Sequence, residues 1–100
     1  IIGVQPEEGA QIPGIRKWPE AYLPKIYSAK NIDRIEYVSQ QHAEETARRL
    51  AKEEGIFSGA STGGGLYIAL QIAKANKDAV IVSIACDRGD RYLSSNLFLS

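Results

Sequence analysis

The chain has 100 residues, in which 12 lysines and arginines balance 12 aspartates and glutamates, and 44% of the residues are hydrophobic. This composition is typical of a single globular unit. It argues against a nucleic-acid-binding protein, which needs a basic surface, and no apolar run is long enough to cross a bilayer. The single cysteine, Cys86, has no partner for an internal disulfide, which favours a reducing compartment such as the cytoplasm.

The N-terminal third combines a strand with a proline-rich stretch. Residues 1–4 resemble a strand already under way, without an initiating methionine, which suggests a fragment of a longer protein. Residues 6–31 contain all four prolines of the chain together with Trp18, so we expect an irregular but ordered loop there.

A strand and an amphipathic helix follow this loop. Residues 34–38 alternate as a strand does, Ser39 is suited to cap a helix that runs to about Glu54, and Gly55 fits the position after its last turn. The expected buried face carries Ala43, Ala47, Leu50 and Ala51, and the expected i,i+4 ion pairs on the other face are Glu44–Arg48 and Glu45–Arg49.

Ser61 and Thr62 lie in a glycine-rich turn that opens into a second helix. Apolar residues with helical spacing follow at Leu66, Ala69, Leu70, Ile72 and Ala73, so we expect this helix to begin near Ser61. The first turn of a helix has N–H groups without intrahelical partners and a partial positive charge. Because residues 63–65 are glycines without Cβ atoms, a ligand could approach this backbone closely. The turn predicts a ligand-binding site; the alternative is that Ser61 or Thr62 is only the helix N-cap.

The last predicted element is a buried strand. Residues 79–85 form a continuous, largely β-branched apolar run after a turn at residues 76–78, which is typical of a central parallel strand. The order strand, helix, helix, strand indicates an α/β fold. The polar run from Cys86 to Ser95 begins at the carboxyl end of this strand, where ligands bind in open α/β sheets. The alternative for that run is a solvated turn with exposed ion pairs.

Two other types of active site are disfavoured. Residues 59–63 match the nucleophile elbow of α/β-hydrolases, but the only histidine, His42, precedes the serine, whereas the hydrolase histidine follows it. The glycine-rich turn also lacks the lysine of a phosphate-binding P-loop.

Four collinear segments resemble the cysteine synthase family, and within it the B-type branch. These segments cover essentially the whole chain and are residues 5–9, 12–19, 54–64 and 86–94. The resemblance implies the C-terminal part of a tryptophan-synthase-like, fold type II enzyme that depends on pyridoxal phosphate, with a mostly parallel sheet flanked by helices. The whole chain would then be one segment of the cofactor-binding domain, with an entrance loop at about 6–31, a glycine-rich turn at 59–65, a site loop at 86–95 and no complete second domain.

The resemblance also implies roles for individual residues. In the family, the serine that matches Ser61 hydrogen-bonds the pyridine nitrogen of the cofactor, and a hydroxyl there leaves that nitrogen neutral and the ring a weaker electron sink. The other residues expected at the cofactor are Gly59, Thr62, Cys86 and Asp87. The implied reaction is β-replacement, in which O-acetylserine loses acetate and sulfide or thiosulfate adds to give cysteine or S-sulfocysteine.

A cationic entrance to the site is expected around Arg16, Lys17, Trp18 and Arg88. Such an entrance would suit dianionic thiosulfate, and we expect Arg16, Cys86 and Arg88 to shape it. Lys17 departs from the family tendency, which is arginine, and therefore lacks the planar fork for a bidentate anion contact.

The lysine that holds the cofactor covalently in the family has no counterpart here, so no catalytic residue is assigned and the chain alone is expected to be inactive. The family implies a homodimer of the full-length enzyme, and a partial sheet with an uncovered flank is expected to associate with a partner. No metal site is predicted. Two alternatives stay open, namely a small anion-binding or ligand-binding module and a non-catalytic interaction protein derived from the enzyme fold.

Overall fold

A computed structural model describes residues 1–9, 12, 15, 32–86, 88 and 89. They form two strands and two helices in the order β1 (Ile2–Pro6), β2 (Arg34–Val38), α1 (Gln40–Glu54) and α2 (Ala60–Ala75). The two strands pair in parallel, with Ile2 opposite Arg34 and Pro6 opposite Val38. The expected α/β arrangement is confirmed. Neither described helix is both long and apolar enough to cross a membrane.

Helix α1 has the bounds that its sequence predicts. The Ser39 hydroxyl accepts a hydrogen bond of 3.1 Å from the His42 N–H, which caps the first turn. Gly55 ends the helix in the left-handed region at φ 70°, a conformation that costs glycine little because it has no Cβ. Both ends of α1 are therefore fixed by local chemistry.

One of the two predicted ion pairs on α1 is wrong. Arg48 lies 3.8 Å from Glu44 as expected, but Arg49 pairs with Glu53 at 2.7 Å rather than with Glu45. The physical reason is that Arg49 has a carboxylate one turn away in each direction and makes two contacts with Glu53, while Glu45 accepts from Gln41. The hydrogen bond from Arg49 holds the pKa of the Glu53 carboxyl below its usual value.

The core lies where both helices meet the sheet. Val38 at the end of β2 is fully buried, as are Ala43 and Ala47 of α1, and Ile68 of α2 packs with them. Leu70, which the periodicity of α2 assigns to the buried face, is instead 37% exposed. The face of α2 that packs inward carries glycines and small residues, so apolar spacing alone misplaces it.

Two of the three glycines of α2, Gly63 and Gly64, are packed against other parts of the fold, which corrects the expectation that they open the backbone to a ligand, whereas Gly65 lines a cavity. A Cβ at Gly63 would lie 2.0 Å from the carbonyl oxygen of Ala43 and 2.8 Å from the nitrogen of Ala47. A Cβ at Gly64 would lie 2.8 Å from Ile15 Cδ1. The two helix backbones come this close only because Gly63 lacks a side chain.

The predicted strand over residues 79–85 is wrong for this structure. The segment has no strand pairing, and Val80, Val82 and Ile84 are 94%, 86% and 76% exposed. The turn before it is as predicted, with the Ala79 N–H donating to the Asn76 carbonyl at 3.1 Å. A strand requires a neighbour for its backbone groups, and no described residue supplies one for this segment.

Replacing Gly63 by alanine tests the close approach of the helices. The added Cβ meets backbone that cannot move independently, so we expect Gly63→Ala to lower the free energy of unfolding by about 1–3 kcal/mol. Gly65→Ala is the matched control, because its Cβ would meet only Ser83 Oγ at 3.2 Å on an exposed segment. The free energy of unfolding of this control should stay the same or rise by up to about 1 kcal/mol, because alanine has a higher helix propensity than glycine. Urea unfolding followed by circular dichroism measures both, and equal effects would contradict this account.

Candidate functional site

Two predicted site segments meet at the start of α2. The Cys86 N–H donates a hydrogen bond of 3.1 Å to Thr62 Oγ1, across 24 residues of sequence. Thr62 is 4% exposed and Cys86 is exposed. The bond fixes the end of the 79–86 segment against the first turn of α2, so the glycine-rich turn and the start of the polar run lie together.

Ser61 is a buried first-turn residue and not the helix N-cap. Helix α2 begins at Ala60, and its N-cap is Gly59, which makes no side-chain capping bond. The alternative that Ser61 or Thr62 caps the helix is therefore wrong. Ser61 is 7% exposed, and none of the residues that the structure describes forms a hydrogen bond with its hydroxyl. The hydroxyl oxygen itself keeps some exposed surface, so a bound group could reach it.

A cavity of about 730 Å³ opens beside Ser61. Its walls are β1, one side of α2 and the segment from Val80 to Cys86. Ser61 and Cys86 supply hydroxyl and thiol groups, whereas most of the remaining lining is aliphatic. The hydrogen bond between Thr62 and Cys86 holds this polar end in place.

A second connection joins the residues before α2 to the polar run, and the sequence analysis missed it. The Gly89 N–H donates to the Phe57 carbonyl at 2.8 Å. A Cβ at Gly89 would lie 2.5 Å from Phe57 Cδ1, so only glycine fits against this ring. The sequence feature that could have indicated this contact is Gly89 itself, a glycine within a run of charged residues.

The other predicted site residues divide between described and undescribed parts of the chain. Gly59 is buried at the start of α2, and Arg88 is exposed beside Gly89. The remaining predicted residues lie outside the described residues, namely Arg16, Lys17, Trp18 and Asp87. The roles of all nine residues in binding stay predictions.

The described residues contain no cluster of His, Cys, Asp and Glu side chains that could hold a metal ion. His42 is exposed and stacks on Tyr67 of α2, with ring centroids 4.4 Å apart. This stacking gives His42 a packing role between the helices.

Removing the Thr62 acceptor should release the end of the 79–86 segment. In Thr62→Val the Cys86 N–H loses its partner, and we expect its opening free energy to fall by about 1 kcal/mol. Thr62→Ser keeps the hydroxyl and should behave as the parent chain does. Amide exchange at Cys86, read by nuclear magnetic resonance, measures the difference. Identical exchange rates in Thr62→Val and Thr62→Ser would show that this bond does not hold the segment.

Comparison with curated proteins finds bacterial cysteine synthases. Over 98 residues the chain is 57% identical to cysteine synthase B of Escherichia coli K12 and 54% identical to cysteine synthase B of Pseudomonas aeruginosa. The alignments cover 98% of this chain but only 32% and 33% of those relatives. The chain thus spans about a third of the length of the curated relatives and aligns with their C-terminal part.

Solved structures give the same result for the fold. The cysteine synthase of Entamoeba histolytica matches with a TM-score of 0.87 at 33% identity, over 100% of this chain and 32% of that protein. An O-ureido-L-serine synthase also matches with a TM-score of 0.87, at 32% identity, over 97% of this chain and 33% of that protein. No family model matches the chain.

Sequence and fold therefore agree along essentially the whole chain, which confirms the expected fold class. The cysteine synthases found by both comparisons depend on pyridoxal phosphate, the cofactor that the resemblance implied. Over the part of these enzymes that it covers, the chain is similar in both sequence and fold to the C-terminal part of cysteine synthases.

Proposed function

We propose that this chain forms the C-terminal third of a pyridoxal-phosphate-dependent cysteine synthase and that Ser61 binds the pyridine nitrogen of the cofactor. The observation that carries the proposal is the Ser61 side chain, which is buried, lines the cavity and has no hydrogen-bond partner among the described residues. The identity of 57% to a cysteine synthase B supplies the reaction class.

The residues around the cavity fit this cofactor. A hydroxyl partner leaves the pyridine nitrogen neutral, and none of the described residues that line the cavity is an aspartate or a glutamate, which would keep it protonated. Pyridoxal phosphate, when bound, supplies the electron sink for replacing the acetate of O-acetylserine by a sulfur nucleophile. Ser61 would orient the ring, while Thr62 holds the Cys86 backbone beside it.

The lysine that holds the cofactor covalently would come from the part of the enzyme that this chain does not cover. Lys74 is in the last turn of α2, 13 residues after Ser61, which places it about 20 Å along the helix axis. Lys52 is in the last turn of α1, and Lys77 follows α2. We therefore propose that the 100 residues alone bind no cofactor covalently and are inactive.

The choice of sulfur donor would depend on cationic side chains at the entrance. Arg88 is exposed two residues after Cys86, and Arg16 and Lys17 are the other proposed contributors with Trp18. Positive charge there favours dianionic thiosulfate over sulfide. We further propose that the full-length enzyme is a cytoplasmic homodimer.

A chimera tests the proposed function. In it, the C-terminal third of Escherichia coli cysteine synthase B is replaced by this chain. We expect the chimera to show the visible absorption of bound pyridoxal phosphate and to make cysteine, whereas the chain alone should do neither. Ser61→Ala in the chimera should lower kcat/KM about tenfold, the effect of losing one hydrogen bond of roughly 1.4 kcal/mol.

Ser83→Ala is the matched control, because Ser83 lines the cavity from the opposite wall. Failure of the chimera to bind pyridoxal phosphate would refute the proposed function. Equal activity in Ser61→Ala and Ser83→Ala would refute the role of Ser61. Arg16→Ala should raise the KM for thiosulfate more than that for sulfide, and equal changes would exclude a role for the entrance in donor choice.

A further inference from the structure

We infer that Phe57 is a positioning residue for the sulfur-transfer step, because its ring fixes the part of the polar run that carries Arg88. The inference rests on the proposed function, in which Arg88 belongs to the cationic entrance. Phe57 does not line the cavity, so it acts on the reaction through the placement of Arg88.

The polar run is bonded at two points to the residues around the start of α2. The Cys86 N–H donates to Thr62 Oγ1 at 3.1 Å, and the Gly89 N–H donates to the Phe57 carbonyl oxygen at 2.8 Å. Arg88 lies between these two bonds, one residue before the second. Thr62 therefore holds the start of this part of the run, and Phe57 holds its end beside Arg88.

The Phe57 ring makes a contact with Gly89 that is separate from the backbone bond. A Cβ at Gly89 would lie 2.5 Å from Cδ1, 2.6 Å from Cε1 and 2.9 Å from Cγ of the ring, so the ring covers the Gly89 backbone directly. Gly89 is buried, and it does not have the positive φ of Gly9 and Gly55. Backbone conformation does not require a glycine here, so the ring contact is the reason that no side chain fits.

Phe57 is itself held in place by the two packed helices. It lies in the connection of residues 55–59, between the left-handed Gly55 that ends α1 and the Gly59 N-cap of α2. Ser58, the next residue, is 3% exposed, so this connection is packed against the fold on one side. A ring on a short connection between packed helices is a rigid support for a site residue.

Arg88 is close enough to the cavity for its position to affect a substrate. Cys86 lines the cavity, and Arg88 follows two residues later with an exposed side chain. Two residues of extended chain span at most about 7 Å. The attraction between a guanidinium and an anion depends on their separation and is proportional to the charge of the anion. A shift of the run at Gly89 therefore changes the binding of dianionic thiosulfate more than that of singly charged sulfide.

The ratio of two KM values in the Escherichia coli chimera tests the positioning role. We expect Phe57→Ala to raise the KM for thiosulfate about threefold relative to that for sulfide, because an exposed charge contributes a modest attraction. Ile56→Ala is the matched control, since Ile56 is the neighbouring residue and is 47% exposed, against 41% for Phe57. The control should leave the ratio unchanged. A ring that only stabilised the fold would change both KM values alike.

A double mutant tests the ring contact itself. In Gly89→Ala the new Cβ meets the ring, and the KM ratio should rise as it does in Phe57→Ala. When both substitutions are combined, the ring is gone and the ratio should equal that of Phe57→Ala alone. Phe57→Leu, which keeps an apolar side chain without a ring, replaces Phe57→Ala if that variant does not fold. Additive effects of the two substitutions would overturn the inference, because the two residues would then act independently.

Amide exchange and cofactor absorption separate this inference from the proposed function. In the isolated chain, Phe57→Ala should speed exchange of the Gly89 amide about threefold relative to Ile56→Ala, as read by nuclear magnetic resonance. Equal exchange in the two variants overturns the positioning role. A chimera that binds pyridoxal phosphate but has the same KM ratio in Phe57→Ala and Ile56→Ala overturns the positioning role alone. A chimera without cofactor absorption refutes the proposed function and this inference with it.

Discussion

The structure depends on the close contact between α1 and α2 at Gly63. The position that a Cβ would occupy there is 2.0 Å from the carbonyl oxygen of Ala43, so the two helices touch through their backbones. Helix α1 is itself fixed to the end of β2, because Ser39 follows Val38 directly and caps the first turn. Through this contact, the first turn of α2 is placed at the end of the sheet from which α1 departs. Ser61 and Thr62 owe their positions to the packing of the neighbouring Gly63 against α1.

Two long-range bonds then build the site from segments that are far apart in sequence. Thr62 accepts from the Cys86 N–H, and the Phe57 carbonyl accepts from the Gly89 N–H, with the Phe57 ring filling the space where a Gly89 side chain would lie. Each bond joins the region around the start of α2 to the polar run after the 79–86 segment. The two adjacent hydroxyl groups in the first turn of α2 therefore have different roles. Thr62 is used for structure, whereas Ser61, one residue earlier, has a hydroxyl that no described residue engages.

The apolar segment of residues 79–85 is exposed rather than buried in the sheet. In an α/β fold, a β-branched run is buried only when neighbouring strands pair with it and layers cover both faces. Here α2 approaches one side of the run, as the contact between Gly65 and Ser83 shows, while Val80, Val82 and Ile84 remain open. The chain covers 32% of the length of cysteine synthase B from Escherichia coli, and its described strands form a two-stranded sheet.

Local chemistry decided much of this protein. The strand β2, the Ser39 cap, the extent of α1 and the left-handed Gly55 follow from short-range preferences, and the family resemblance follows from four collinear segments. Tertiary structure alone decided the remaining features. It explained Gly63 by contact with α1 instead of a ligand, because this depends on the distance between the two helices. It also left residues 79–85 unpaired, since the same apolar sequence is a buried strand only where neighbouring strands are present to satisfy its backbone.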